Sequence, residues 1–151
     1  MRMKSLFDRA PAAEIKDRLA RLTPQTRRLW GKMSAAQMLA HCSAAMEVSL
    51  GDKVVRQVLL GKLFGRIAKG SLLSGKPMGK SLPTAKEYVI ANDRDLDLER
   101  QRLTALIDRF QAGGPEGCTK FPHSFFGKMP PEEWSALNYI HLDHHLQQFG
   151  L

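Results

Sequence analysis

Four stretches of the chain repeat apolar residues every three or four positions, the spacing of one helix face. In residues 11–22, PAAEIKDRLARL, Ile15, Leu19 and Leu22 share a stripe, and Pro11 suits a helix start. In MSAAQMLAHCSAAMEVSL, Ser34 and Gln37 form an S-x-x-Q capping box, which predicts a helix over 34–50 that Gly51 ends. RDLDLERQRLTALIDRFQAGG predicts a third, over 95–111, with Leu96, Leu103, Leu106, Ile107 and Phe110 on its apolar side and paired glycines as its stop. Pro130 and Pro131 open the last, EEWSALNYIHLDHHLQQF, over 131–149. Between the second and third lies VVRQVLLGKLFGRIAKG (54–70), apolar on one side and basic on the other. It predicts a smaller fifth helix, weakened by Gly61 and Gly65. SLLSGKPMGKSLPTAKEY and GPEGCTKFPHSFFGKM, rich in Gly, Ser and Pro, read as connections.

No stretch carries the alternation and regular turn signals of a sheet, and no internal repeat marks a solenoid. The pattern therefore predicts an all-α protein, a four-helix bundle with a long crossover between its second and third long helices, not a simple up-down-up-down chain. At 151 residues the chain has the size of one domain, residues 1–151, large enough to bury a core without staples. No apolar run approaches the roughly 20 residues of a membrane-spanning helix. MRMKSLFDRAP lacks the features of a signal peptide, so the expected location is the cytoplasm. Cys42 and Cys118, the two cysteines, read there as free thiols.

Charge changes the picture in one place. From Lys53 to Lys86 there are eight basic residues and no acidic one, and the rest of the chain balances 15 basic against 15 acidic, so the net charge of +8 resides in this segment. Such a segment suits an anionic partner: nucleic acid, a phospholipid surface or an anionic small molecule. It also describes a solvated face with a mobile loop. No aromatic ladder or nucleic-acid motif accompanies it, which argues against nucleic acid.

The candidate chemistry lies in the histidines. Three of the five stand in HLDHH, residues 141–145. At about 100° per residue, His145 lies about 40° and Trp134 about 20° from His141, with Leu137 about 40° to the other side. The large apolar neighbours make that face the inward one. His144 falls about 60° off at its edge, and Asp143 points nearly the opposite way. Two imidazoles at i and i+4 on one face can close on one metal ion. On the second helix His41 stands at the margin of an apolar stripe, between Met38 and Ala45, with Gln37 one turn before it. A bundle can bring His41 against His141 and His145, and three histidines with an open position suit Zn²⁺, Ni²⁺ or another divalent transition metal. The same spacing arises for histidines hydrogen-bonded in a core or lying on a helix surface, so spacing alone leaves metal binding and core packing both open. Gln37 is placed to hydrogen-bond a metal-bound water or to orient His41. His144 reads as a bystander, and His123, before Phe125 and Phe126, as a turn residue that could line the mouth of the site. Cys42, about 100° from His41, reads as core packing.

WGKMSAAQMLAHC (30–42), HSFFGKMPPEEW (123–134) and YIHLDHHLQQFG (139–150), together with Pro83-Thr84, resemble the DinB/YfiT-like superfamily of metal-dependent four-helix proteins, within it a branch of unknown function. The coupling of H-x-x-H-H-x-x-Q to an upstream Q-M-L-x-H is its most specific part. The resemblance implies an up-down-down-up bundle. It implies that His41, His141 and His145 bind a divalent metal. Relatives of known chemistry are thiol transferases that use mycothiol or bacillithiol, or isomerases of thiol adducts. No thiol-binding motif of those enzymes is present here, and no catalytic residue is assigned. Two functions from different classes are expected: a metal-dependent hydrolase or thiol S-transferase acting on a small molecule, or a non-catalytic bundle that binds a small ligand or partner. Association of residues 53–86 with nucleic acid or a membrane surface is a third reading. An amphipathic bundle face also permits a homodimer.

Overall fold

The structure, a computed structural model, describes residues 3–151, so the first two residues of the expected 1–151 domain lie outside it. It is all-helical, with five α-helices and no strand among the described residues: α1 (Arg9–Ala20), α2 (Ala35–Ser49), α3 (Leu59–Leu73), α4 (Leu96–Gly113) and α5 (Pro131–Gln148). Among the described residues no helix is long and apolar enough to cross a membrane.

Each boundary has a local cause. α1 starts two residues before Pro11, because a proline anywhere in the first turn loses no intrahelical hydrogen bond, and Ala12 N already donates to Asp8 O at 3.2 Å. α2 opens on the expected reciprocal cap. Gln37 N donates to Ser34 Oγ and Ser34 N donates to the Gln37 amide oxygen. α4 is capped by the Asp95 side chain and stops at Gly114, whose φ is 55°. α5 carries Pro131 at its first position.

α1 packs on α4 and α5, and α2 packs on the same two, whereas the backbones of the sequence neighbours α1 and α2 do not approach closely. The core between them holds Leu6, Ile15, Leu19, Met38, Leu39, Met46, Leu103, Ile107, Phe110, Trp134, Leu142 and Leu146. α5 is buried on more sides than the single inward face the pattern suggested. Ser135, Asn138 and Tyr139 are buried with Trp134 and Leu137, because α1, α2 and α3 all pack against it.

α3 differs most from expectation. It begins at Leu59 instead of Val54, because the preceding backbone is extended and Val58 N donates to Ser124 O at 2.8 Å. Gly61 and Gly65 are what seat it. A Cβ at either position would collide with the Phe125 carbonyl, so only glycine lets α3 lie directly on the turn at 123–127. The residues that weaken the helix locally are thus the ones that dock it. The basic segment is partly neutralised from outside: Lys53 pairs with Glu47 and Lys69 with Glu133, both at 2.6 Å, and Lys80 lies over the Trp30 ring.

Candidate metal centre

α2 and α5 bring His41, His141 and His145 together, with their facing nitrogens within 4.8 Å of one another. His41 Nε2 stands 3.1 Å and His145 Nε2 3.2 Å from His141 Nε2. His41 and His145 are buried, and His141 keeps part of its surface open.

The opposite ring nitrogens decide the protonation. His41 Nδ1 meets the Tyr88 carbonyl oxygen at 2.9 Å. A carbonyl only accepts, so His41 Nδ1 carries the proton and its Nε2 presents a lone pair. His145 Nδ1 meets the Gln148 side-chain oxygen at 2.8 Å, while the Gln148 amide nitrogen donates to the Trp30 carbonyl at 2.9 Å. That orientation of the amide again places the proton on Nδ1 and a lone pair on Nε2. Two lone pairs therefore face His141 Nε2 from both sides. A proton on that nitrogen would satisfy one and leave the other opposed. A cation at the common point would accept all three. Tetrahedral Zn–N bonds hold their nitrogens about 3.3 Å apart, close to the two distances that His41 and His145 keep from His141. The donor set fits a divalent transition ion.

Burial keeps the set unprotonated. Loss of solvent pushes His145 down to about 3, with the neighbouring His41 acting in the same direction. It holds His141 well below the usual imidazole value and lowers His41 as well, the latter partly opposed by the bond to Tyr88. At neutral pH all three are neutral, the form that binds metal.

The structure sorts the remaining candidates. Gln37 does not orient His41. Its amide is engaged by Ser34 N and by the Asn92 carbonyl, to which it donates at 3.2 Å, and the Tyr88 carbonyl holds the ring instead. His144 is half-buried beside the cluster, its ring 5.2 Å from that of His145 and 5.6 Å from Trp30. His123 is a turn residue. Its Nδ1 accepts from Phe125 N and Phe126 N at 3.0 and 3.1 Å, and its ring packs on Phe126 and Trp134. Asp143 faces away, paired with Arg18 at 2.7 Å. Cys42 is buried in the core, where burial pushes its thiol above the usual range.

Sequence reasoning assigned no role to Tyr88, Gln148 or Trp30. Tyr88 acts through its backbone, which side-chain chemistry cannot signal. Gln148 was detectable: it lies at i+3 from His145, a spacing that makes neighbours on a helix. Gly31 completes this arrangement. Its φ is 80°, and a Cβ there would collide with the Gln148 amide. Outer partners of metal-binding histidines are typically worth about 10- to 100-fold in affinity. Gln148→Leu is therefore expected to weaken Zn²⁺ binding by about that factor in a calorimetric titration.

Fold and site together define a class: an all-helical chain with a buried cluster of three histidines contributed by two helices. The chain belongs to the family described as Protein of unknown function (DUF1569), whose model matches residues 5–150. No curated protein and no solved structure gives a significant match.

Proposed function

We propose that residues 1–151 form one DinB/YfiT-like domain, an up-down-down-up four-helix bundle. In this reading it holds a divalent metal through His41, His141 and His145 and acts as a metal-dependent hydrolase or thiol S-transferase on a small molecule. The convergence of three imidazole Nε2 atoms, two with their tautomers fixed from behind, carries the reading. The ring of packing in which α4 and α5 each touch both α1 and α2 supports the bundle. An all-nitrogen donor set favours Zn²⁺ or Ni²⁺ over a hard oxygen-seeking ion. When bound, such an ion supplies Lewis acidity that lowers the pKa of a water or thiol in the open position. The chain's own part is to hold that position. Tyr88 and Gln148 keep His41 and His145 turned inward, and burial keeps all three rings unprotonated. The two buried thiols, Cys42 and Cys118, fit a reducing cytoplasm.

One observation favours a second reading, a non-catalytic ligand-binding bundle. Among the described residues no carboxylate joins the three rings: Asp143 is turned to Arg18 and Gln147. Elemental analysis of untagged protein, followed by a panel of thiol-transfer and hydrolysis substrates, separates the readings. About one Zn²⁺ or Ni²⁺ per chain with turnover is the expected result. Stoichiometric metal without turnover selects the second reading, and absence of metal after reconstitution overturns the first.

A further inference from the structure

α3 carries a surface that the histidine site does not use. Leu59, Leu60, Leu63, Phe64 and Ile67 are all exposed, Leu59 at 73%, Ile67 at 75% and Phe64 at 54%. Set on a wheel at about 100° per residue, these five fall within an arc of about 140°. Gly61 and Gly65, the docking side, lie roughly opposite, which turns the apolar arc outward. Lys62, Arg66 and Lys69 share the flank between them. Val54 and Val58, also exposed, extend the patch toward the helix start. An amphipathic helix ordinarily buries its apolar side, and contiguous exposed patches of this kind mark interaction surfaces.

The charge identifies what covers it. Beside the stripe, a cleft of about 400 Å³ is lined by Lys62, Arg66, Lys69 and Lys128, with Gln57 and Phe126. Lys69 is committed to Glu133. Lys62, Arg66 and Lys128 have no acidic partner among the described residues, so three cations stand ready for an anion next to an aliphatic ridge. Wherever a two-fold contact pairs this flank with itself, a second copy of the chain sets like charges together, whereas an anionic partner complements the flank. Nucleic acid fits poorly, because the outward centre is leucine and isoleucine, not polar groups aimed at phosphates and bases. A ridge of Leu, Ile and Phe with Lys and Arg at its edge is the form of a helix that lies in a membrane interface.

We propose that α3 docks this protein on anionic phospholipid bilayers, the ridge entering the acyl boundary and the cleft of Lys62, Arg66 and Lys128 holding phosphate headgroups. The surface is separate from the histidine site. Lys69 fastens α3 to Glu133 in the first turn of α5, while His141 and His145 stand more than two turns further along.

Co-sedimentation of untagged protein tests this, with vesicles of phosphatidylcholine alone and vesicles containing about a quarter phosphatidylglycerol. The protein is expected to pellet with the anionic vesicles at least about tenfold more strongly, and less so as salt is raised. Each basic residue near such a surface is worth about fivefold, so Lys62→Glu/Arg66→Glu is expected to weaken binding by about 25-fold or more. Phe64→Asp/Ile67→Asp is expected to abolish it. All four side chains are exposed, and an unchanged helical circular dichroism spectrum verifies the fold. Leu98→Asp, an exposed leucine on α4, is expected to bind like wild type. Failure to pellet with anionic vesicles overturns the proposal, as does binding that survives Phe64→Asp/Ile67→Asp. So does a lipid-free dimer in sedimentation equilibrium that this variant dissociates, which would assign the ridge to a second copy.

Discussion

His141→Ala is expected to lose stoichiometric Zn²⁺ or Ni²⁺ while keeping the helical fold. His141 Nε2 is the nitrogen that both other rings face, at 3.1 and 3.2 Å. Its removal leaves two donors, too few to hold an ion against water, and the loss should exceed the 10- to 100-fold, about, that an outer partner is worth. The fold should tolerate the change. His141 is only partly buried, and its absence ends the opposition of lone pairs in the metal-free protein. Calorimetry gives the affinity directly. Thermal denaturation gives a second readout, because a ligand at 100 times its Kd stabilises the folded state by about 2.7 kcal/mol. Wild type should show such a rise with added Zn²⁺, and His141→Ala should not. His144→Ala, which alters a ring beside the cluster, should retain the rise. A His141→Ala protein that binds Zn²⁺ as tightly as wild type would remove the basis for the metal reading.

The helices that carry the site were legible because each states its own boundary chemistry. Ser34 and Gln37 announce α2, and Pro130-Pro131 announces α5. With both ends known, the period of the helix turns His141 and His145 to one face and Asp143 to the other, as the bond from Arg18 to Asp143 reflects. The distance of His41 from them in sequence is 100 residues, and only the packing of α2 on α5 closes that gap. What could not be read was the reason each ring is fixed. The Tyr88 carbonyl belongs to a short 3₁₀ turn, Lys86–Tyr88, inside the long crossover, and its position depends on tertiary placement. α3 is present where the pattern places a fifth helix, but the part its glycines play was hidden for a related reason. Propensity counts Gly61 and Gly65 as helix weakeners, but the contact with Phe125 outweighs it, and that contact lies about 60 residues away. The same seating decides which side of α3 faces water, so an amphipathic pattern alone could not say that its apolar side would be the exposed one.

In the metal-free protein, stability is expected to fall as pH drops below about 6.5, well before the carboxylates titrate. The buried histidines set the direction. Burial lowers His145 to about 3 and His123 to about 4, and His41 and His141 move the same way. In the unfolded chain each returns to about 6.5. The unfolded state therefore binds more protons throughout the interval, so stability is full above about pH 6.5 and is lost as pH falls toward the folded values. His123 and His145 alone should cost about 2 kcal/mol between about pH 6 and about pH 5, with the other two adding to it. Glu14, Glu47 and Asp52, whose carboxyls their basic partners hold low, contribute in a separate and more acid window. Urea unfolding at pH 7, 6 and 5 measures the slope. His123→Asn isolates one share of it away from the metal site, because an asparagine oxygen can take the N–H groups of Phe125 and Phe126 that His123 Nδ1 now accepts. That variant should lose up to about 1.4 kcal/mol per pH unit of slope, whatever its stability at pH 7. A slope unchanged by His123→Asn would mean that His123 is not held neutral in the fold, and a stability that is flat from pH 7 to 5 would mean that none of these rings is. The convergence of unprotonated nitrogens at His41, His141 and His145 would then lose its physical basis.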